Sequence, residues 1–374
     1  MSEESTTRMQ ATNNASNKQP NKGQGHESGD AAQTGLRRPR RPSGLTAADA
    51  HEAERSLWRM RAAAGGLIAA GLGASAAGLS MLFRRRMLAQ HGVATSLYKY
   101  VRLRFHLRSG WDRMMVLADF DRTLTTASCG TSCHGVVESC TQLSASYRSK
   151  TKALFDKYFP LETSATLSRE EKIPIMTEWY QQAHTLLLAE PFTPQLLESA
   201  ARTSKAALRP GCDELFAMTR QHAAPLVVCS AGLGNVVQAL LVHLLPESES
   251  ASLGSLPVVS NWLRFDDRGV VSGFSEPLLH MFNKDGQFIR TQLGAQRWEK
   301  LANGRSVCLL LGDGLGDATM ADGLGIDVVL KIGFLNETEP SRVAERLPAF
   351  EAAFDAVILG DRSMDWVLEL LRDL

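Results

Sequence analysis

The sequence has no surplus of charge of either sign. Its 41 lysines and arginines stand against 40 aspartates and glutamates, so no whole-chain field draws it to nucleic acid. Cysteine is scarce too. Six in 374 residues make no disulfide scaffold, and reduced thiols in a cytosolic compartment are the default expectation. CGTSCHGVVESC, residues 129–140, has irregular spacing and no second Cys-x-x-Cys pair. Cys129, Cys133, His134 and Cys140 therefore make a weak zinc pattern and read first as linker packing. The glycine-rich stretches lack the marks of nucleotide-binding loops. CSAGLGNVV, 229–237, has Val237 where a dinucleotide fingerprint needs a third glycine, and no Gly-Lys-Ser/Thr follows LLLGDGLGDATMADG, 309–323. Apolar material is not lacking: 44% of the chain is enough for a globular core, and the length gives a prior of two or three domains.

Composition divides the chain into three regions. Residues 1–55 are polar, with RRPRRP at 37–42, and are expected to be a disordered tail whose basic patch is a solvated linker. Residues 62–83, AAAGGLIAAGLGASAAGLSMLF, carry no charge. As a helix they would span about 30 Å, the thickness of a bilayer core. Alanine and glycine are only weakly apolar, so the stretch is a candidate transmembrane or anchor helix, with a targeting element or a surface-associated helix as rivals. Its distance from the N-terminus does not suit a secretory signal. Arg84, Arg85 and Arg86, and the basic YKYVRLRFHLR at 98–108, predict a cytoplasmic catalytic domain, tethered or free.

Residues 111–374 read as a globular α/β domain. MMVLA before Asp119, PLVVCS before Gly232, VCLLLG before Asp313 and DAVILG at 355–360 are each an apolar run followed by a turn, which predicts buried strands. Helical patterns such as GNVVQALLVHLL lie between them. This alternation predicts a Rossmann-like parallel sheet with ligands at the C-terminal strand ends. The first two strands are too far apart for a simple crossover. The helical patterns between them predict an inserted cap, about 135–212. SMDWVLELL near the C-terminus reads as an amphipathic helix packed on the core.

Four stretches carry chemistry. In VLADFDRTLTT, 116–126, Asp119 and Asp121 are two residues apart, so in an extended segment both point the same way. Such a pair can divide roles: one ionised as nucleophile or metal ligand, the other protonated as general acid. It can also be no more than a solvated strand end. Ser230 precedes glycines that open a helix, a suitable phosphate cradle, though a tight turn fits as well. Lys284 in HMFNKDG, 280–286, could balance charge on a transferring phosphoryl group, while an isolated lysine is more often a surface residue. Asp313 and Asp317 follow an apolar strand and supply hard oxygens of the kind Mg2+ takes.

The order DxDxT, strand-Ser, Lys, GDxxxD resembles the haloacid dehalogenase superfamily of phosphatases. More specifically, DFDRTLT, EEKIPIMTEWY, VVCSAGLGNVV, VVSNWLRFDDRGVVSGF, FSEPLLHMFNKDG, LLLGDGLGDATMADG and LKIGFLN (330–336) resemble the pyrimidine 5'-nucleotidase (cytosolic 5'-nucleotidase III) family, from about residue 112 to the C-terminus. The resemblance implies a haloacid dehalogenase fold with a helical cap and Mg2+-dependent hydrolysis of nucleoside 5'-monophosphates. It implies Asp119 as the nucleophile forming an aspartyl-phosphate and Asp121 as general acid and base. It implies Mg2+ on Asp119, the Asp121 carbonyl and Asp313, with support from Asp317. Ser230, Ala231 and Lys284 would bind phosphate, and Glu162 and Trp179 would meet the base from the cap; plain cap packing is the rival for Trp179. Ala183 departs from members that accept 7-methylguanosine monophosphate, which can show a serine there, and this favours pyrimidine monophosphates. The alternatives are a phosphatase or nucleoside phosphotransferase acting on another small phosphate, and an inactive membrane-tethered binding protein.

Overall fold

The computed structural model describes residues 73–164, 166–251 and 253–374. The expected tail, 1–55, and residues 62–72 of the candidate span lie outside the described residues. Residues 73–83 open helix α1 (Gly73–His91), which runs on through Arg84, Arg85 and Arg86. Among the described residues, no helix is long and apolar enough to cross a membrane.

The strands are β1 (Val93–Ala94), β2 (Met114–Ala118), β3 (Leu226–Leu233), β4 (Val258–Asn261), β5 (Leu263–Phe265), β6 (Val271–Phe274), β7 (Val307–Gly312), β8 (Val328–Leu335) and β9 (Ala356–Leu359). Seven form one sheet in the order β1-β9-β8-β7-β2-β3-β4, and β5 and β6 pair separately as an antiparallel ribbon. All neighbours in the large sheet run parallel except β1 on β9. The apolar runs MMVLA, PLVVCS, VCLLLG and DAVILG fall on β2, β3, β7 and β9. They are continuous rather than alternating because a parallel sheet covered on both faces buries both sets of side chains. Met114, Val116 and Ala118 of β2 enter one core with Val228, Leu309 and Ile332. Met115 and Leu117 enter the other with Cys229, Leu310 and Phe354. The two-residue period of the strand makes this division.

Strand order runs outward from β2 to β3 and β4, then returns to β7 on the other side of β2. The reversal leaves a crevice between the C-terminal ends of β2 and β7, the place where doubly wound sheets bind ligands. Between β2 and β3 lie α3 (Cys133–Glu138), α4 (Ala145–Glu162), α5 (Arg169–Leu188), α6 (Pro194–Thr203) and α7 (Cys212–Gln221), so the long separation is helical as expected. Ser168 and Glu171 close a capping box at the start of α5, which fixes where that helix begins. Helices α8 (Gly234–Leu244), α9 (Glu247–Ser250), α10 (Gly286–Leu293), α11 (Ala295–Ala302), α12 (Pro340–Ala353) and α13 (Asp365–Arg372) follow. Helix α13 buries Trp366, Val367, Leu368, Leu370 and Leu371, matching its amphipathic pattern.

The folded unit starts ahead of residue 111. Strand β1 extends the sheet through Val93 and Ala94, and α2 (Leu97–Leu107) buries Leu103, His106 and Leu107. Its basic residues Lys99, Arg102 and Arg104 are engaged by protein groups. Arg102 pairs with Asp355 at 2.8 Å, Lys99 donates to the Phe354 carbonyl at 2.7 Å, and Arg104 pairs with Asp373 at 2.6 Å. A basic helix facing carboxylates and carbonyls has the same composition as a juxtamembrane one.

Candidate active site

Strand β2 delivers Asp119. The alternation that sends Met115 and Leu117 to one face continues to Asp119, whose N–H donates to the Leu311 carbonyl of β7 at 3.0 Å. The chain then stops being extended. The Phe120 carbonyl accepts the N–H groups of Leu124 and Thr125, both at 3.0 Å, and Arg122 takes a left-handed backbone with φ 62°. Asp121 therefore does not simply repeat the direction of Asp119, as an extended segment would have it. Its carboxylate turns to the start of α3 and accepts the Cys133 N–H at 3.0 and 3.2 Å. The CGTSCHG segment thus presents a backbone donor. Cys129 donates its thiol to the Thr126 carbonyl at 2.9 Å and Cys140 to the Gln142 side chain at 3.1 Å, so the cysteines do not converge on a zinc site.

Lys284 is buried, not a surface residue, with 2% of its side chain exposed. It pairs closely with Asp119 and with Asp317 at 2.8 Å. Its loop is tied on both sides: His280 donates its N–H to Asn283 Oδ1 at 2.7 Å, and Asp285 caps α10 through Phe288 N–H at 2.9 Å. The second oxygen of Asp317 accepts the N–H groups of Asp313 at 3.0 Å and Gly314 at 2.8 Å. Gly312 makes this possible, since a Cβ there would stand 2.3 Å from Asp317 Cβ. Carboxylate oxygens of Asp119, Asp313 and Asp317 come within 4.8 Å of one another.

Ser230 lies inside β3, which continues to Leu233, rather than at its end. Its hydroxyl accepts the Gly232 N–H at 3.1 Å. Ala231 is fixed by Asn261, which donates to the Ala231 carbonyl at 3.0 Å and the Leu279 carbonyl at 2.8 Å. Asn261, fully buried, joins the β3 turn to the Lys284 loop. It lies in VVSNWL, where its residue type alone does not mark it.

The helical insertion contributes Glu162 at the end of α4. Burial raises its carboxyl from 4.5 to about 7, against the opposing charges of Arg122 and Lys172. Trp179 stacks on Tyr158 of α4 with centroids 5.7 Å apart and planes at 13°, so it packs the helix pair. Its neighbour Tyr180, not singled out from sequence, stands nearer the chemistry. Burial raises its phenol first, and Glu162, Asp121 and Asp119 raise it further. Its ring meets those of His134, His184 and His280.

The electrostatics explain the cluster. Burial raises the Asp119 carboxyl; Lys284 opposes this, while Asp317 and Asp121 add to it. Burial likewise raises Asp313, with Asp119 and Asp317 adding to it. For Lys284 burial alone would favour the neutral amine, but the carboxylates of Asp119 and Asp317 outweigh it and hold the ammonium. Three carboxylates face one ammonium, and a hard dication would satisfy the remaining charge. The donor set is all oxygen, so the residues present fit Mg2+.

The family model described as Pyrimidine 5'-nucleotidase (UMPH-1) matches residues 120–374. The chain is 35% identical over 271 residues to a 7-methylguanosine phosphate-specific 5'-nucleotidase A of Xenopus laevis, covering 71% of this chain and 89% of the relative. It is 31% identical over 272 residues to the 7-methylguanosine phosphate-specific 5'-nucleotidase of Homo sapiens, covering 71% and 86%. A crystal structure of cytosolic 5'-nucleotidase IIIB bound to cytidine aligns with a TM-score of 0.65 at 29% identity, covering 78% of this chain and 96% of that one.

Glu162 gives a pH signature. Its folded value of about 7 lies above its ordinary 4.5, so between those values the folded chain binds more protons than the unfolded one. The ionised carboxylate therefore opposes folding, increasingly as pH rises from about 4.5 to about 7 and constantly above. Glu162→Gln should leave thermal stability little changed at pH 5 and raise it at pH 8, by about 1–3 kcal/mol allowing for solvent screening. The same shift in melting temperature at both pH values would refute the assignment.

Proposed function

The chain belongs to the pyrimidine 5'-nucleotidase family, and from that membership we propose that it hydrolyses nucleoside 5'-monophosphates through an aspartyl-phosphate on Asp119. The observation that carries the reading is the buried Lys284 ammonium held between Asp119 and Asp317, at the sheet edge where strand order reverses.

A carboxylate oxygen of Asp119 attacks phosphorus, and the bond to the nucleoside 5'-oxygen breaks. Asp121 gives that oxygen a proton. Burial raises the Asp121 carboxyl, with the Cys133 N–H opposing, which suits a group that must hold a proton. The resulting carboxylate takes a proton from water, water oxygen bonds to phosphorus, and the Asp119–phosphorus bond breaks to release phosphate. Lys284 orients Asp119 and neutralises phosphate charge; Ser230 and the amides after it receive phosphate oxygens. Mg2+, held by Asp119, the Asp121 carbonyl and Asp313, would supply positive charge against those oxygens. Asp317 spends its oxygens on Lys284 and the 313–314 amides and so supports the site.

The insertion selects the base. The relatives are named for 7-methylguanosine phosphate, whose methylated ring is cationic and suits a carboxylate at Glu162. Ala183 offers no hydroxyl, which removes one hydrogen bond from that recognition. We infer a weakened preference, with pyrimidine monophosphates accepted at comparable efficiency.

Residues 62–83 call for a separate reading. Leu79, Met81 and Leu82 are exposed on α1, directly before the three arginines. We infer attachment to a membrane surface with the catalytic domain on the cytosolic side.

Phosphate release from a panel of nucleoside monophosphates should depend on Mg2+ and vanish with chelator. Asp119→Asn should lose on the order of 10³-fold or more. Asp121→Asn should be hurt far more on nucleotides than on an aryl phosphate, whose leaving group needs no proton. No Mg2+-dependent release from any nucleotide would sink the proposal, and an active Asp119→Asn would remove the nucleophile. Ala183→Ser should raise kcat/KM for 7-methylguanosine monophosphate relative to cytidine monophosphate by about tenfold; an unchanged ratio would show that position 183 does not contact the base. On fractionation, the tagged full-length chain should pellet with membranes and be released by carbonate. Retention after carbonate would mean a span, and recovery in the cytosol would end the attachment reading.

A further inference from the structure

Arg209 is fully buried, the largest such side chain among the described residues, and the reaction above does not use it. It lies just before α7 and faces the turn that follows Asp121. Its Nε donates to the Thr123 carbonyl at 2.7 Å. Its Nη2 donates to the Arg122 carbonyl at close range, to the Thr125 carbonyl at 3.4 Å and to Asn336 Oδ1 at 3.0 Å. Its backbone N–H donates to the Leu124 carbonyl at 2.8 Å. Four successive carbonyls, 122 to 125, are thus held by one residue. Nη1 donates to the Arg362 carbonyl and pairs with Asp361 at 3.3 Å. The guanidinium lies over the Phe334 ring, 4.3 Å from its centroid. A planar fork of five donors can do this; an ammonium cannot.

Two neighbours extend the clamp. Asn336, at the end of LKIGFLN, donates its amide to the Arg122 carbonyl at 2.9 Å, giving that oxygen a second donor. Asp361 accepts the N–H groups of Ala127 at 2.9 Å and Ser128 at 2.7 Å. Residues 122–125, 127 and 128 are therefore pinned by groups from Arg209, Asn336 and Asp361, all distant in sequence.

Ordinary fold maintenance does not explain where the pins fall. Arg122 has a left-handed backbone, which costs a non-glycine residue roughly 1–2 kcal/mol and persists only where surroundings impose it. That conformation turns the chain between Asp121 and Thr123. It sets where the Asp121 carboxylate stands relative to the Cys133 N–H and to Asp119.

We propose that Arg209, assisted by Asn336, is a positioning residue that holds the 122–125 turn so that Asp121 faces the leaving oxygen of the substrate bound at Asp119. The proposal rests on the nucleotidase reading of the site. Arg209 touches no reacting atom and acts through the turn.

The test uses the full chain. Arg209→Lys keeps the charge but loses the fork. It should lower kcat on a nucleoside monophosphate by about 30- to 100-fold with KM within about threefold, the scale of an ångström-sized misplacement. The loss on an aryl phosphate should be at least about fivefold smaller, since that substrate does not call on Asp121. A role in stability alone would lower both substrates by the same factor, through the folded fraction. Asn336→Ala, which leaves Arg209 in place, should lower nucleotide kcat about three- to tenfold with the same substrate pattern, and it decides the matter if Arg209→Lys does not fold. Variants within twofold of wild type, or equal losses on both substrates, overturn the proposal. Asp121→Asn is the reference. If it lacks the substrate dependence, the acid assignment fails and the positioning role falls with it; if it shows the dependence while the Arg209 and Asn336 variants lose equally on both substrates, the positioning role alone is overturned.

Discussion

The structure depends on burying the Lys284 ammonium between two carboxylates. An unpaired charge at that depth would cost several kcal/mol. Asp119 and Asp317 must therefore arrive from opposite sides, one from the end of β2 and one from the turn after β7. Adjacency of β2 and β7 supplies the first condition, in parallel register from Met114–Val307 to Ala118–Leu311. Gly312 supplies the second by letting Asp317 approach the strand. Lys284 comes from outside the sheet, and Asn261 and Asn283 hold its loop to β4 and to itself. Each of these side chains is buried or bonded because the pairing leaves little tolerance for displacement.

The same pairing bears on the two aspartates of DFD, Asp119 and Asp121. Repulsion between them is limited because they face different partners: Asp119 faces an ammonium, and Asp121 faces a backbone N–H at the start of α3. The turn at Arg122 separates them. A strained residue at that point is the means by which one strand end serves two electrostatic environments. Groups with separated environments can carry different protonation states, which is what a nucleophile and a proton donor require.

Much of this was legible in the sequence, for reasons that differ by residue. The strands carrying Asp119, Ser230 and Asp313 announced themselves because a sheet covered on both faces needs uninterrupted apolar runs. Asp119, Asp313 and Lys284 stood out because their types and order match a known chemistry. Other features left no local mark. Arg209 is one arginine among many in composition, and its burial follows from carbonyls contributed by residues nearly 90 positions earlier. Asn261 reads as an ordinary strand-end polar residue until the Leu279 segment folds against it. Strand β1 is two residues long, too short for any periodicity, and it exists because the edge of β9 offers it partners. The turn at Arg122 was invisible because nothing in DFDRT requires φ above zero; tertiary contacts impose it.

Trp179 and Tyr180 show how finely the insertion divides its labour. Consecutive residues on a helix point about 100° apart, so one of the two must turn away from any single target. Trp179 turns to Tyr158 and Phe155 and knits α4 to α5. Tyr180 turns to His134 and His280, one from the segment that caps Asp121 and one from the loop that carries Lys284. Trp179, expected to meet the base, packs on Tyr158, while its neighbour links the insertion to the segment beside Asp121 and to the loop of Lys284. An insertion tied to the chemistry in this way can vary its base contacts without moving the carboxylates. On the proposed function, the strand ends would carry the phosphate chemistry, and substrate choice would fall to side chains such as Glu162 and Ala183 that the sheet does not constrain.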